Sequence, residues 1–416
     1  MSNARDPLRF SANSLTQCLK QLGESKGAEE EMEARVIEDD SYPELTFRTL
    51  VLTPSLLNPG GIQRYTRTLQ HALEDLLGAP SVHAVAAAEP EVGAGGKLAL
   101  PLSARLRFAW QAISEAVRWH PNLIICTHLS LGPFGWMVRA LTGRPYWVVV
   151  HGIESWDRLP LAKRKALSRA DRVIVTSAFS REQVVKRQRI DPQRISSLPC
   201  TLDETLLNVE PASDGPSRFL SGQQRVVLTV ARMIASERYK GHDVVLRALP
   251  SLVDKIPDLT YVVAGDGDDR PRLEKLANEL GLTKHVIFTG SVSDSELAAL
   301  YRRSEIFVLP ARTVIDDCDS KGEGFGIVFL EAMAFGKPVI GPDYGAPAEI
   351  IRDGIDGLLV KAENATSVAN ALSSLLAAPE TARRMGDSGG LRVREQYSYQ
   401  AFRDILCRHL RLSCAF

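Results

Sequence analysis

No stretch of this 416-residue chain comes near the roughly eighteen consecutive apolar residues that a membrane-spanning helix needs; runs such as Tyr146-Trp-Val-Val-Val150 stop far short. The first thirty residues also lack the apolar centre of a signal peptide, so a cytoplasmic location is expected. Six cysteines (Cys18, Cys126, Cys200, Cys318, Cys407, Cys414) are scattered without CxxC spacing, which argues against a zinc site and against a disulfide framework. Free thiols are expected. A dinucleotide-binding GxGxxG is missing too: neither Asn58-Pro-Gly-Gly-Ile-Gln63 nor Gly265-Asp-Gly-Asp-Asp-Arg270 supplies it, which sets aside a Rossmann-type oxidoreductase. Asp266-Gly-Asp-Asp269 lacks the twelve-residue pattern and downstream glutamate of a calcium loop, so no metal and no other cofactor is expected. Net charge is absent as well, with 50 Lys and Arg against 50 Asp and Glu, and no nucleic-acid partner is expected.

What is present is a soluble composition, 44% hydrophobic and 24% charged, on a chain long enough for two cores. The zero net charge hides a regional asymmetry. Residues 1–45 carry 5 basic and 10 acidic side chains and little apolar periodicity, which reads as a mobile acidic extension. Residues 46–208 carry 20 basic against 12 acidic, concentrated in Arg158–Lys165 and Lys186–Arg189; such a face suits plain solvent, an anionic membrane surface or an acidic acceptor.

From residue 47 the pattern alternates. Strands are expected at Phe47–Thr53, Leu123–Cys126, Tyr146–Val150 and Arg172–Val175, with helices at Gly61–Leu77, Phe134–Leu141 and Ser180–Arg189. The break Pro211-Ala-Ser-Asp-Gly-Pro-Ser217 then reads as a linker. Beyond it the alternation restarts, with strands at Val226–Val230, Thr260–Ala264, Val286–Phe288, Ile306–Leu309 and Pro338–Ile340. Helices are expected at His242–Leu252, Arg270–Leu280, Asp294–Arg302, Ile327–Phe335, Ala365–Ala378 and Tyr399–Leu412. The expected fold is α/β: two doubly wound Rossmann-like domains, residues 46–208 and 225–398, facing across a cleft. The linker spans 209–224, and a C-terminal helix, 399–416, returns to the first domain. Ligands of open α/β sheets bind beyond the carboxyl ends of the strands, so the site belongs in that cleft.

The segment Glu323-Gly-Phe-Gly-Ile-Val-Phe-Leu-Glu331 carries the most chemistry. Its glutamates are eight positions apart, about 12 Å along a continuous helix, too far for a hydrolase's paired acid and base at roughly 5–9.5 Å. Gly324 and Gly326 flank Phe325 and let the backbone turn just before a helix begins. The N–H groups of Gly326, Ile327 and Val328 then offer an anion site. Spacing alone also fits an ordinary loop with a core helix behind it. His151 directly follows the strand Tyr146–Val150, where a loop residue reaches the cleft; His128 after Leu123–Cys126 is a weaker, acceptor-side candidate, and His71 and His285 read as structural.

This segment resembles the E-x7-E signature of glycosyltransferase family 4, the retaining enzymes of GT-B architecture. Arg232, Met233 and Glu237-Arg-Tyr-Lys-Gly-His-Asp243 resemble that family's Arg and Lys pair, and Gly265-Asp-Gly267 its nucleotide-side loop. Gly341–Gly345 with Glu349–Gly357 resembles the stretch beyond its second glutamate. Gly60-Gly61 and His151-Gly152 are similar to its two first-domain loops. The resemblance covers about residues 47–412 and implies a nucleotide-sugar donor. By that resemblance Arg232 and Lys240 hold the leaving diphosphate, where cations stabilise charge that grows in the transition state. Gly60 and Gly61 bring amides to the same diphosphate, and Gly265, Asp266 and Val292 border the base. Glu331 takes the ribose, while Glu323, with Gly324 and Phe325 beside it, and His151 meet the donor sugar. The implied chemistry retains the anomeric configuration: the acceptor hydroxyl attacks on the face the diphosphate leaves, and a phosphate oxygen takes its proton. Glu323→Ala or Lys240→Ala is then expected to abolish transfer with folding intact.

Two departures stand out. Pro199-Cys-Thr-Leu-Asp203 replaces the family's usual Pro-Asn pair, and Thr313-Val-Ile-Asp-Asp-Cys-Asp-Ser-Lys-Gly322 is inserted before Glu323, long enough to act as a mobile flap or to lie open to solvent. Leu309-Pro-Ala-Arg-Thr313 resembles bacterial phosphatidylinositol and polysaccharide mannosyltransferases, which implies GDP-mannose, with UDP-glucose or UDP-N-acetylglucosamine as alternatives and a nucleotide-sugar epimerase or hydrolase as the other enzyme class on this fold. The implied acceptor is a glycan or a lipid-linked sugar at the inner membrane face. Phe108, Trp110, Ile113 and Val117 fall near one helical face with Arg105, Arg107 and Arg118 alongside, a pattern that fits peripheral contact with an anionic membrane and equally a helix facing the core.

Overall fold

Short runs such as Thr-Leu-Val-Leu-Thr and Tyr-Trp-Val-Val-Val are apolar on both faces, so they form strands only where helices cover them on both sides, as in a parallel sheet. The computed structural model describes residues 47–54, 61–87, 101–209, 219, 220, 222 and 224–414. The acidic extension 1–45, Gly60 and most of the expected linker 209–224 lie outside the described residues. Among the described residues, one six-stranded sheet contains β1 (Thr49–Thr53), β2 (Val82–Ala86), β3 (Leu123–Cys126), β4 (Tyr146–Val150), β5 (Arg172–Val175) and β6 (Ile195–Ser197), in the order β2-β1-β3-β4-β5-β6. A second contains β7 (Arg225–Val230), β8 (Leu259–Ala264), β9 (Val286–Gly290), β10 (Ile306–Val308), β11 (Val339–Pro342) and β12 (Gly357–Val360), in the order β12-β11-β10-β7-β8-β9. The pairs β1 with β2 and β3, and β7 with β8 and β10, are parallel, and the order reverses beside β1 and beside β7 as doubly wound sheets require.

The described chain divides into two compact units. One runs to Val149 and includes Pro160–Ile174 and the helix from Phe402; the other holds Val150–Leu159 and Val175–Ala401. In the first, helix Gly61–Leu77 buries Tyr65, Leu69, Ala72, Leu73 and Leu76 at three- and four-residue spacing, and Phe402 meets the Tyr65 ring edge-on. His71, expected to be structural, lies on the exposed side of that helix near Asp75. Helix Leu102–Trp119 buries Phe108, Ala112 and Ala116, so Phe108 does not share a face with Trp110 and Val117. The apolar side chains that remain outward are Leu102, Leu106, Trp110 and Val117, a second stripe beside the buried one. Among the described residues no helix is long and apolar enough to cross a membrane.

In the second unit the core joins Val227, Tyr261, Val263, Val308 and Ile340 from the sheet to Val245, Leu246, Leu372 and Leu375 from covering helices. The expected helix His242–Leu252 is divided into His242–Ala248 and Pro250–Val253, because Pro250 has no N–H with which to continue the ladder. Helix Asp294–Arg303 opens on a reciprocal cap between Ser293 and Glu296. Unforeseen is helix Pro379–Gln396, which runs through Gly386, Gly389 and Gly390. A Cβ at Gly386 would lie 2.0 Å from the Gly336 carbonyl oxygen, and one at Gly389 would lie 3.0 Å from Met333, so these glycines let the helix press against Ile327–Ala334.

Asp356, fully buried, anchors the same contact. Its carboxylate accepts from Arg352 at 2.6 and 2.7 Å, Ser388 at 3.0 Å and Arg392 at 3.2 Å, while Arg392 also reaches the Ile350 and Glu349 carbonyls. These partners hold its carboxyl below the usual range despite burial, which pushes the other way. Asp356→Ala, which strands two guanidinium groups, is expected to cost about 3 kcal/mol, read as a lower urea midpoint at unchanged slope.

Candidate active site

The loops after β7 and β8 meet backbone to backbone. Cβ atoms at Gly265 and Gly267 would lie 2.2 and 2.1 Å from the carbonyl oxygens of Ala231 and Met233, and both glycines have positive φ. Only glycine permits that approach. Met233 N donates to Asp266 O at 2.9 Å and Asp269 N to Met233 O at 2.9 Å, so Arg232 sits in a clamped turn. Gly265 N is itself engaged, donating to Gly290 O at 3.0 Å. Asp266 accepts from Gly267 N and stays largely exposed, and Val292 lies half-buried in the turn after β9.

From that turn a chain of charges leads inward. Arg232 donates to Glu237 Oε1 at 2.5 Å; the other oxygen of Glu237 is 3.8 Å from Lys240 Nζ, and Lys240 donates to Glu323 Oε1 at 2.6 Å. Lys240, Glu237 and Glu323 are only 11, 16 and 17% exposed, whereas Arg232 is 68% exposed. The buried lysine therefore organises two carboxylates, and the guanidinium is the cation with access to a ligand. Glu237 Oε2 is buried without a hydrogen-bond partner. Burial first, then the Glu323 and Glu237 charges, push the Tyr239 phenol above its ordinary pKa. This geometry revises the expectation that Lys240→Ala leaves folding intact, since removing the shared cation leaves two largely buried carboxylates facing each other.

Glu323 precedes a turn, not a helix. Gly326 enters helix Ile327–Ala334 with φ of 102°, and the helix has no capping side chain. Among the described residues no N-cap side chain satisfies the leading amides of this helix, which suits an anion. Phe325 is buried edge-on to Tyr397. Glu331, inside the helix, is 3% exposed; the Tyr301 hydroxyl donates to its Oε2 at 2.8 Å, and the Tyr301 ring stacks on Phe335. Tyr397 in turn receives Thr201 Oγ1 and Leu202 N from the Pro199–Asp203 turn, where Cys200 is buried and its thiol pushed up to about 12.

His151 stands at the end of β4, its N–H donating to Glu154 at 2.6 Å and its carbonyl accepting from Thr176. A Cβ at Gly324 would lie 2.4 Å from His151 O, and one at Gly152 would lie 2.7 Å from Gly324 Cα. His151, Gly324 and Glu323 are therefore brought together, with Lys240, Glu237 and Arg232 following. Gly61 opens its helix in the other compact unit. His128 Nδ1 contacts Ser130 Oγ at 2.7 Å and caps its own turn, and His285 Nδ1 meets the Leu259 carbonyl, both local structural roles. Residues that sequence reasoning left unassigned are Glu237, Tyr301 and His242. A Glu three positions before Lys240 was legible as a helical neighbour, whereas nothing in sequence pairs Tyr301 with Glu331. Among the described residues no group of three or more His, Cys, Asp or Glu is arranged to hold a metal ion.

Residues 59–206 match the family model described as Glycosyltransferase Family 4, and residues 216–391 match that described as glycosyl transferases group 1. A GDP-mannose-dependent α-(1-6)-phosphatidylinositol monomannoside mannosyltransferase of Mycolicibacterium smegmatis is 32% identical over 267 residues, 62% of this chain and 67% of that protein. A D-inositol 3-phosphate glycosyltransferase of Rhodococcus jostii is 28% identical over 298 residues, 65% of this chain and 63% of that one. Among solved structures, sucrose-phosphate synthase from Thermosynechococcus elongatus superposes with a TM-score of 0.70 at 23% identity, covering 88% of this chain and 99% of its own. Anabaena HepE in complex with UDP gives 0.67 at 16%, with the same coverage. At these identities the structures establish the fold, GT-B.

His242, two residues beyond Lys240, is 5% exposed, with Nε2 unpartnered and its ring bonded to the Ala231 backbone. Burial, then the Lys240 charge, lower its pKa to about 4. The unfolded chain, with an ordinary value near 6.5, binds more protons between these two values. The stability that depends on neutral His242 is thus complete above about pH 6.5 and is lost as pH falls towards 4. The expected loss is about 3 kcal/mol across that window. In urea unfolding at pH 7 and pH 4.5, the stability difference between wild type and His242→Gln should shrink by about that amount; a constant difference would show that His242 titrates normally.

Proposed function

Because the chain belongs to glycosyltransferase family 4, and so is a hexosyltransferase using a nucleotide sugar, we propose that it is a retaining enzyme moving mannose from GDP-mannose to a lipid-linked or glycan acceptor in cell-surface glycolipid or polysaccharide synthesis. The observation that carries the site assignment is the 2.6 Å pair of Lys240 and Glu323, both largely buried, with Arg232 exposed beside it. In this reading Arg232 grips the leaving diphosphate, aided by the uncapped start of helix Ile327–Ala334. Lys240 adds a second positive charge near the distal phosphate and orients Glu323. Glu323 accepts from the donor sugar hydroxyls and Glu331 from the ribose, since a carboxylate accepts from two vicinal hydroxyls at once. Gly265, Asp266 and Val292 border the base. His151 meets the donor sugar at the reacting carbon, and a phosphate oxygen takes the acceptor proton. Cations supplied by side chains make added metal unnecessary.

GDP-mannose is preferred over UDP-glucose and UDP-N-acetylglucosamine because the mycobacterial relative named for GDP-mannose shares 32% identity. Thermal shift and turnover over a panel of nucleotide sugars, in EDTA, test it: GDP-mannose should give the largest stabilisation and turnover without metal. Preference for a UDP-sugar would replace the donor, and hydrolysis or isomerisation undiminished without acceptor would replace the reaction class. Arg232→Ala and Glu323→Gln are expected to lower kcat about a hundredfold or more with folding retained; wild-type turnover in both would remove the assignment.

The membrane part of the proposal draws on Leu102, Leu106, Trp110 and Val117, exposed on one helix that also carries Arg105, Arg107 and Arg118. Wild-type protein is expected to sediment with anionic vesicles at low salt, and Leu106→Glu with Trp110→Glu to stay in the supernatant. Equal partitioning of both proteins would refute contact through this helix.

A further inference from the structure

The inserted segment 313–322 is neither a loose flap nor open to solvent along its whole length. Val314 and Lys321 exchange antiparallel backbone bonds of 2.7 and 2.8 Å, closing it into a hairpin. Its tip, Asp317, Cys318 and Asp319, is exposed, and its own apolar anchorage is slight: Ile315 packs on a small cluster of Trp156, Phe179 and Ala346. What fastens it is polar. Arg187 Nη1 donates to the Asp316 carbonyl at 2.9 Å and the Asp317 carboxylate at 3.0 Å, and also to the Trp156 carbonyl at 3.0 Å. Arg158 N donates to Asp317 O at 2.9 Å, and Ser320 N to the Asp157 carboxylate at 2.8 Å. Neighbouring Gln188, itself buried, donates to the Ser155 and Asp157 carbonyls. Trp156, with no exposure, lies 3.1 Å from where a Gly322 Cβ would be and 3.3 Å from where a Gly152 Cβ would be.

Every polar anchor other than Arg187 and Gln188 comes from the turn just after His151, and the hairpin ends at Gly322, next to Glu323. One network thus joins the turn after His151 to the residue before Glu323. We infer that hairpin 313–322 is a fixed wall at the hexose end of the donor site, and that Arg187 is the positioning residue that holds it there and so sets discrimination between donor hexoses. The inference rests on reading Glu323 and His151 as donor-sugar contacts. All three bonds leave one nitrogen, Nη1, which stands one atom further along the side chain than a lysine Nζ, so a lysine at this position would fall short of the acceptors.

The test compares wild type, Arg187→Ala, Arg187→Lys and, should Arg187→Ala fail to fold, Asp317→Ala at an exposed tip residue. Three readouts are taken: tryptic cleavage after Lys321, the Kd of free nucleoside diphosphate, and kcat/KM for the donor and its hexose epimers. Expected for Arg187→Ala are faster cleavage, a diphosphate Kd within about twofold, and kcat/KM for the preferred donor reduced about tenfold to a hundredfold, as small misplacements near a reacting centre produce, with epimer discrimination falling in parallel. Arg187→Lys should follow Arg187→Ala, and Asp317→Ala should show a smaller change of the same kind. Cleavage as slow as wild type would overturn Arg187 as the holder. Faster cleavage with epimer discrimination retained would overturn the wall, and an equal loss of diphosphate affinity would reduce Arg187 to a general stabiliser. If wild type transfers from no nucleotide sugar, the proposed function fails instead, while the proteolysis still reports whether Arg187 holds the hairpin.

Discussion

A side chain at Gly324 would put a carbon 2.4 Å from the His151 carbonyl, and one at Gly152 would put a carbon 2.7 Å from Gly324. Real carbon atoms do not tolerate such distances, so two bare backbone segments must touch for the site to exist. The same constraint recurs at Gly265 and Gly267 against Ala231 and Met233, and at Gly386 against Gly336. Three loops and one helix end are thereby brought together by close backbone contact, and the charged side chains are then carried into place by rigid chain.

Within that frame the electrostatics follow from burial. Lys240 lies between Glu237 and Glu323 and is nearly out of water, so its first role is to keep two carboxylates stable at close range. Arg232, bound to Glu237 but mostly exposed, keeps the freedom to meet an incoming anion. Burial, and after it the Lys240 charge, disfavours protonation of His242, and its ring ties the lysine's turn back to Ala231 beside Arg232. The two cations that look equivalent in sequence therefore divide the work, one structural and organising, the other open to ligand.

The hydrophobic pattern made most elements legible. Strands Leu123–Cys126, Tyr146–Val150 and Arg172–Val175 and helix Gly61–Leu77 stand where periodicity puts them, because a fully buried strand and a one-faced helix each leave a local signature. Val82–Ala86 and Gly357–Val360 were missed as edge strands that carry weaker apolar runs, and Pro379–Gln396 because Ser388-Gly389-Gly390 reads as a loop until a neighbouring helix is seen pressing on it. The face assigned to Phe108 and Trp110 failed for a simpler reason. The two are separated by about 200° around a helix, and burial chose only one of them.

For the site, a glycine-flanked turn before a helix and a polar residue ending an apolar strand are local features that drew attention to the segment Glu323–Glu331 and to His151, whereas Arg232 and Lys240 were picked out by resemblance to the family. Sequence alone therefore determined the fold class and the family, and it supplied the groups proposed to meet a nucleotide sugar. It could not decide which partners those groups keep. The Tyr301 hydroxyl on Glu331, the sharing of Lys240 between Glu237 and Glu323, and the fastening of segment 313–322 by Arg187 join positions 30, 83 and 130 residues apart. Such contacts depend on which loops the sheets bring side by side, and only the tertiary packing determines that, because no local periodicity encodes a distance across the fold.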